Sequence, residues 1–393
     1  MSDDYGFDSP IDIRAGMSSK YGRIPANYGI EGPDVIAMWV ADMDFAAAPP
    51  IREALHADID RGYLGYPGAA NNVTDAISGW FERKHGWKVD PRHVRFTNGV
   101  VAALGVTIAA FTEPGEAVIV FPPVYHAFYR HIRDLGRDVR ECELSVEGGR
   151  HTFDLDAFGA TLRGDERILI FCNPHNPGGR IWSPDEVREI AAFCERHDLI
   201  LVADEIHMDL CFPGTRHVVT ALAAPEALPR LVVLTAASKG FNTAGGETGF
   251  AIIPDTDLRN TWSEKLGGYG GQPSRLGLIA TEAAFRHGDE WSDALRAYLA
   301  ENFRLWRERI DAIPGVSVMD MNATYLSWVD FRSTGLDDKE LGRRVVTEAR
   351  IAPSPGTAFG SGGAGHLRFN LALPRPTLLD AIGRIEAAFA DLQ

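Results

Sequence analysis

Four polar residues stand at or beyond the ends of four short apolar runs. Asn98 follows HVRF (93–96), Asn176 lies in the loop after RILIFC (167–172), Asp204 follows LILVA (199–203), and Lys239 comes after LVVLT (231–235). Apolar runs of this length, closed by small or polar residues, read as buried strands. A lysine in a loop ordinarily carries solvated charge, but one placed just past a buried strand can be a nucleophile or base tuned by its surroundings. A carboxylate at a buried strand end is costly alone, so Asp204 predicts a cationic partner. Asn98-Gly99-Val100-Val101 joins a strand to a helix start, where free N–H groups and the positive dipole end suit a phosphate. The loop Asn173-Pro174-His175-Asn176-Pro177-Gly178-Gly179 holds amides over the sheet edge, with two Asn-Pro units restricting the backbone.

The elements that must position these groups alternate. Pro49-Pro50 opens a helix at 51–59; HVRF leads to a helix through about Phe111; AVIVF (117–121) leads to a helix near 125–135. DVRECEL, a helix near 155–162 and RILIFC follow. Ser183-Pro184-Asp185-Glu186 predicts a helix start with a capping box between Ser183 and Glu186. LILVA, LVVLT and GFAII (249–253) are further strands. Uninterrupted apolar strands between amphipathic helices predict an α/β fold with a mostly parallel sheet covered on both faces, and ligands in such sheets lie outside the carboxyl ends of the strands. Beyond about residue 254 the alternation loosens: helices at 274–286 and 289–312, shorter strands in VSVMD, TYLSWVDF and HLRFNLA, and a terminal helix from Pro376 predict a smaller α+β unit. The expected division is an arm over 1–48 that packs with the small domain, a large domain over 49–288 and a small domain over 289–393. LGGYGGQP (266–273) reads as a mobile loop.

With 393 residues the chain can bury a large core, and 45% hydrophobic with 24% charged residues is ordinary for a globular protein. A formal charge of −15 opposes a nucleic-acid partner. The four dispersed cysteines form no CxxC pair and no metal-ligand cluster, which predicts free thiols and a cytoplasmic location without a metal. No apolar stretch is long enough for a membrane span, and the acidic N-terminus does not resemble a signal peptide.

A lysine, a carboxylate, an amide and an anion-binding helix end on one rim suit a heteroaromatic phosphate cofactor that forms an imine. Pyridoxal 5′-phosphate (PLP) matches each part: phosphate at the helix, ring nitrogen at the carboxylate, aldehyde at the lysine. VADMDFAAAP, GYLGYPG, FPPVYHAFY, NPHNPGG, ADEIHMDL, SKGFN, TYLSWVDF and HLRFNLALPR together span nearly the whole chain, and in this order they resemble the MalY/PatB-type cystathionine β-lyases (C–S lyases). These are fold-type I PLP enzymes of the class I/II aminotransferase superfamily.

The resemblance implies that Lys239 carries the cofactor and acts as base, Asp204 pairs with its ring nitrogen, and Tyr125 stacks on the ring. It places Asn176 and His207 near the phenolic oxygen, and Ser238 with the backbone of Gly99, Val100 and Val101 at the phosphate. Arg368, with Ala41 and Asn176, would bind the substrate α-carboxylate. Tyr66 would reach the phosphate in the neighbouring subunit, which implies a homodimer with shared sites. The implied activity is β-elimination from an S-substituted L-cysteine, cystathionine-like, giving a thiol, pyruvate and ammonia; transamination by the same residues is the alternative. The chain departs from the family pattern at Ala236 and Ala237, where a phosphate-binding serine is frequent. It also lacks any Arg or Lys between Lys239 and Gly249, where many aminotransferases hold the phosphate with arginine, and that favours the lyase branch. Gly245, Gly246 and the loop 266–273 predict extra room for a bulky sulfur substituent.

Overall fold

The computed structural model describes residues 5–269 and 271–392. Its larger sheet has seven strands, numbered here in chain order: β1 (Val94–Thr97), β2 (Ala117–Val120), β3 (Asp138–Glu141), β4 (Glu166–Cys172), β5 (Ile200–Asp204), β6 (Leu231–Thr235) and β7 (Gly249–Ile252). They lie in the order β1-β7-β6-β5-β4-β2-β3, and every neighbouring pair is parallel except the two made by β7.

The apolar runs are continuous because both faces are covered. Leu169, Phe171, Leu201, Ala203 and Val233 point into one hydrophobic cluster, whereas Ile168, Ile170, Val202, Val232 and Leu234 point into the other. Successive residues of a strand face opposite ways, so a strand apolar at every position needs a core on each side. The capping box at Ser183 is present: the Ser183 hydroxyl accepts from the Glu186 N–H, and the Glu186 carboxylate accepts from the Ser183 N–H.

The second sheet has five strands in the order Ile36–Met38, Ile351–Pro355, His366–Asn370, Leu326–Asp330, Ser317–Val318. Ile36–Met38 runs parallel to Ile351–Pro353, so the N-terminal arm is an edge strand of this sheet. The chain then passes through 39–45 toward the helix Pro49–Asp60 on the larger sheet. The helix Asp289–Ile310 buries Leu295, Leu299, Trp306 and Ile310.

Two local expectations are corrected. The helix expected near 125–135 begins at Ala127, which leaves Tyr125 in the loop ahead of it. Residues 266–269 of the glycine-rich stretch form the last turn of the helix Thr256–Tyr269 rather than a loop; Gly270 lies outside the described residues. The packing of that helix against Val100–Phe111, with Trp262 fully buried and donating to the Thr107 hydroxyl at 2.9 Å, outweighs the low helix propensity of its two glycines.

Candidate active site

A cavity of about 250 Å³ opens at the carboxyl ends of β4, β5 and β6, beside the start of the helix Val100–Phe111. Asp204 and Lys239 line it, with Tyr125, Asn176 and His207. Gly99, Val100, Val101 and Ser238 line it as well, and Ala41 enters from the N-terminal segment.

Lys239 is placed by a helical turn, Ala237–Gly240, that starts two residues after β6. Its Nζ donates to the Ala41 carbonyl at 2.6 Å. Burial draws the amine down to about 8, against the opposing pull of the Asp42 and Asp204 carboxylates, while Arg368 pushes it lower. An amine so tuned is partly free near neutral pH, as a nucleophile or base must be.

Asp204 ends β5, is only 5% exposed, and accepts one hydrogen bond, from the Ile206 N–H at 3.2 Å. The cation expected beside it is not in contact: among the described residues it makes no ion pair, and Lys239 acts on it from within the same cavity. Burial therefore lifts its carboxyl to about 7. His207 is buried, its Nδ1 lacks a hydrogen-bond partner, and burial holds its ring neutral by drawing it down to about 3. Tyr125 is half-buried on the wall; burial raises its phenol.

The helix Val100–Phe111 begins at Gly99, whose φ of 116° is open to glycine, and no side chain caps it. Its first N–H groups are thus left free at the cavity. Gly249 of β7 permits this closeness: a Cβ there would lie 2.6 Å from the Val100 nitrogen.

Arg368, in the strand His366–Asn370, is 3% exposed and is not on the cavity wall itself. It reaches the wall through Asn176, donating to Oδ1 at 3.0 Å, and also donates to the Ser354 hydroxyl at 3.1 Å and to the Trp39 carbonyl. Burial lowers it to about 10, so it stays charged, yet it makes no ion pair among the described residues. A buried guanidinium without a carboxylate is a seat for an anionic ligand.

The segment 39–45 gathers these groups. Trp39 O accepts from Arg368, Val40 O from Asn370, Ala41 O from Lys239 and from the Tyr325 hydroxyl at 3.0 Å, and Asp42 O from Lys20 at 3.2 Å. Asn242, just after Lys239, clamps Met43 through both its N–H and its carbonyl. Asp42, Tyr325 and Glu247 carry no local sequence pattern of a site, yet Asp42 acts on the Lys239 amine, Tyr325 donates to the Ala41 carbonyl and Glu247 lines the cavity. The Asp-Met-Asp of VADMDF reads as a turn and TYLSWVDF as a strand, and only the side-chain charges signalled more. Among the described residues, Gly245, Gly246, 266–269 and 271–273 are absent from the wall, where Ala244, Glu247 and Thr248 stand instead, so the expected extra room is not found there; Gly270 lies outside the described residues. Tyr66 is 92% exposed and away from the cavity.

These residues fit PLP. A nearly bare buried carboxylate suits a protonated ring nitrogen, the uncapped helix start suits a phosphate, and a partly neutral lysine suits an aldehyde.

The aminotransferase class I and II family model matches residues 33–385. The cystathionine β-lyase PatB of Bacillus subtilis (strain 168) is 36% identical over 98% of this chain and 100% of its own. The protein MalY of Escherichia coli (strain K12) is 31% identical over 95% of this chain and 96% of its own. Among solved structures, cystalysin from Treponema denticola, crystallised with a PLP cofactor, superposes with a TM-score of 0.95 at 31% identity, covering 99% of this chain and 100% of that one. The chain belongs to the class I and II aminotransferase family of fold-type I PLP enzymes and, within it, to the MalY/PatB-type cystathionine β-lyases.

Proposed function

We propose that the protein is a PLP-dependent carbon–sulfur β-lyase that cleaves an S-substituted L-cysteine of the cystathionine type to a thiol, pyruvate and ammonia. The observation that carries this reading is the placement of Lys239, with its lowered amine, on one cavity with the bare carboxylate of Asp204. The relatives named above support the choice of elimination.

Arg368 binds the substrate α-carboxylate, aided by Asn176, and so fixes the Cα–H bond relative to Lys239. Bound in the cavity, PLP supplies the electron sink that makes that bond acidic. Lys239 removes the Cα proton; the C–H electrons form the Cα–Cβ double bond, and the Cβ–S pair departs on the thiolate. The released enamine takes up one water and yields pyruvate and ammonia. Asp204 would hold a proton on the cofactor's ring nitrogen, and its buried setting would keep water from competing for it. Tyr125 would pack against the cofactor's ring, and Ser238 with the backbone of Gly99, Val100 and Val101 would hold its phosphate.

The working form is a homodimer. Tyr66, Leu64 and Tyr63 expose 92%, 73% and 62% of their surface on one loop, an apolar patch that favours a partner, and Tyr66 serves the phosphate of the other subunit. A reducing, cytoplasmic setting agrees with the four free, buried cysteines; no helix among the described residues is long and apolar enough to cross a membrane. Incubation with cystathionine and no keto-acid acceptor tests the proposal. Pyruvate and thiol in equal amounts are expected, and turnover only when an acceptor is present would assign transamination instead.

A further inference from the structure

Glu247 is the one acidic residue lining the cavity besides Asp204 among the described residues, and it lies two residues before Gly249, which packs against the helix start at Val100. It lines the cavity with Asn98, Gly99 and Val100. No Lys or Arg lies between Lys239 and Gly249, and Lys239 is the only Lys or Arg on the wall among the described residues. A dianionic phosphate seated at that helix start would meet neutral backbone donors and the Ser238 hydroxyl, in a cavity that Glu247 also lines.

The backbone gives the position a second peculiarity. Glu247 has a left-handed φ of 43° in the stretch Gly245-Gly246-Glu247-Thr248-Gly249, where glycine would adopt that conformation freely. The carboxylate does not hold the loop in place. The Glu247 N–H donates to the Ala244 carbonyl at 3.2 Å, the Thr248 hydroxyl donates to the Gly246 carbonyl at 3.1 Å, and Gly277 packs so closely that a Cβ on it would lie 2.1 Å from that carbonyl oxygen. No hydrogen bond or ion pair of the Glu247 carboxylate is present among the described residues. A strained residue whose side chain does nothing for the fold points to use at the site.

We propose that Glu247 sets the affinity for the cofactor's phosphate by repulsion, so that retention depends on neutral donors and on those brought by the second subunit. This rests on the PLP-dependent reading above. The protein would then exchange cofactor readily and respond to its supply. Because Glu247 is exposed, salt screens the repulsion, and added salt relieves it.

The test uses the full chain stripped of cofactor. The Kd for PLP is titrated by visible absorbance, with inorganic phosphate as competitor, for the wild type, Glu247→Gln, Glu247→Asn and Glu247→Arg; asparagine tolerates the left-handed backbone. Both neutral variants should bind PLP about tenfold more tightly and Glu247→Arg more tightly still, as removal and reversal of one nearby charge require. Inorganic phosphate should follow the same order, and the gap to wild type should shrink in about 0.5 M salt. Unchanged affinity in both neutral variants, each shown to be folded by its thermal transition, overturns the proposal. So does weaker binding with looser self-association, which would make Glu247 an intersubunit contact. A wild-type chain that takes up no PLP would instead remove the functional reading on which the proposal stands.

Discussion

Lys239 and Ala41 are joined by a 2.6 Å hydrogen bond from the lysine amine to the backbone carbonyl, across 198 residues of sequence. Two residues before Ala41, the Trp39 carbonyl accepts from Arg368. One short segment therefore holds both basic side chains to which the proposed reaction assigns a role, the lysine from the larger sheet and the arginine from the smaller.

Lys239→Ala removes the amine that, in the proposed reaction, bonds the cofactor and moves the proton. The visible absorbance of the bound cofactor should vanish, and turnover should fall by about 10³-fold or more. Measuring both in one preparation separates loss of chemistry from loss of folding, since the far-ultraviolet circular dichroism should not change.

The pH dependence of cofactor capture follows from the lowered amine. Only the neutral amine attacks an aldehyde, so the capture rate of the cofactor-free chain should rise with pH through about 8. Asp42 favours the charged amine, hence Asp42→Asn should move that inflection to lower pH; Asp204, Arg368, His207 and Tyr325 also surround the amine and are left intact. Stopped-flow absorbance reads the shift, and a movement to higher pH would contradict the geometry.

Asp204→Asn should act on stability and catalysis in opposite directions. The native carboxyl titrates near 7 and an unfolded one near 4, so the folded chain holds a proton that the unfolded chain has lost. That contribution to stability is therefore lost as pH rises from about 4 to 7. Asparagine keeps an acceptor for the Ile206 N–H and carries no charge. The cofactor-free variant should be more stable than wild type at pH 8, by up to about 4 kcal/mol, and equal to it near pH 4. Turnover of the loaded variant should fall about 10²-fold or more.

Arg368→Met leaves the Asn176, Ser354 and Trp39 acceptors without their donor and removes the seat proposed for the α-carboxylate. KM for the amino acid should rise about thirtyfold, the worth of a bidentate charged contact near 2 kcal/mol. Affinity for PLP alone should change far less.

Shared sites have a quantitative signature. In a mixed dimer of Lys239→Ala and Tyr66→Ala chains, one site combines an intact Lys239 with an intact Tyr66 from its neighbour. Random reassociation of the two inactive variants should restore about a quarter of wild-type activity. No recovery would place Tyr66 outside the partner's site.

Much of the site could be read from local order. Each of Asn98, Asp204 and Lys239 follows an apolar run, because a strand buried on both faces must be apolar throughout and the chain turns polar only where it leaves the sheet. The same rule gave six of the seven strands to within about two residues, and the capping box at Ser183 was visible in four consecutive letters.

What tertiary structure decided are the contacts between distant segments and the effects of burial. The direction of β7, the turn 266–269 held helical by the burial of Trp262, and the edge strand Ile36–Met38 all depend on partners far along the chain. So do the pairing of Arg368 with Asn176 and the carbonyls of 39–45 that gather the site. The sequence determined which residue types stand at the strand ends. Only the folded chain decided that Lys239 is lowered and Asp204 raised, because those shifts come from water excluded by residues that no local pattern contains.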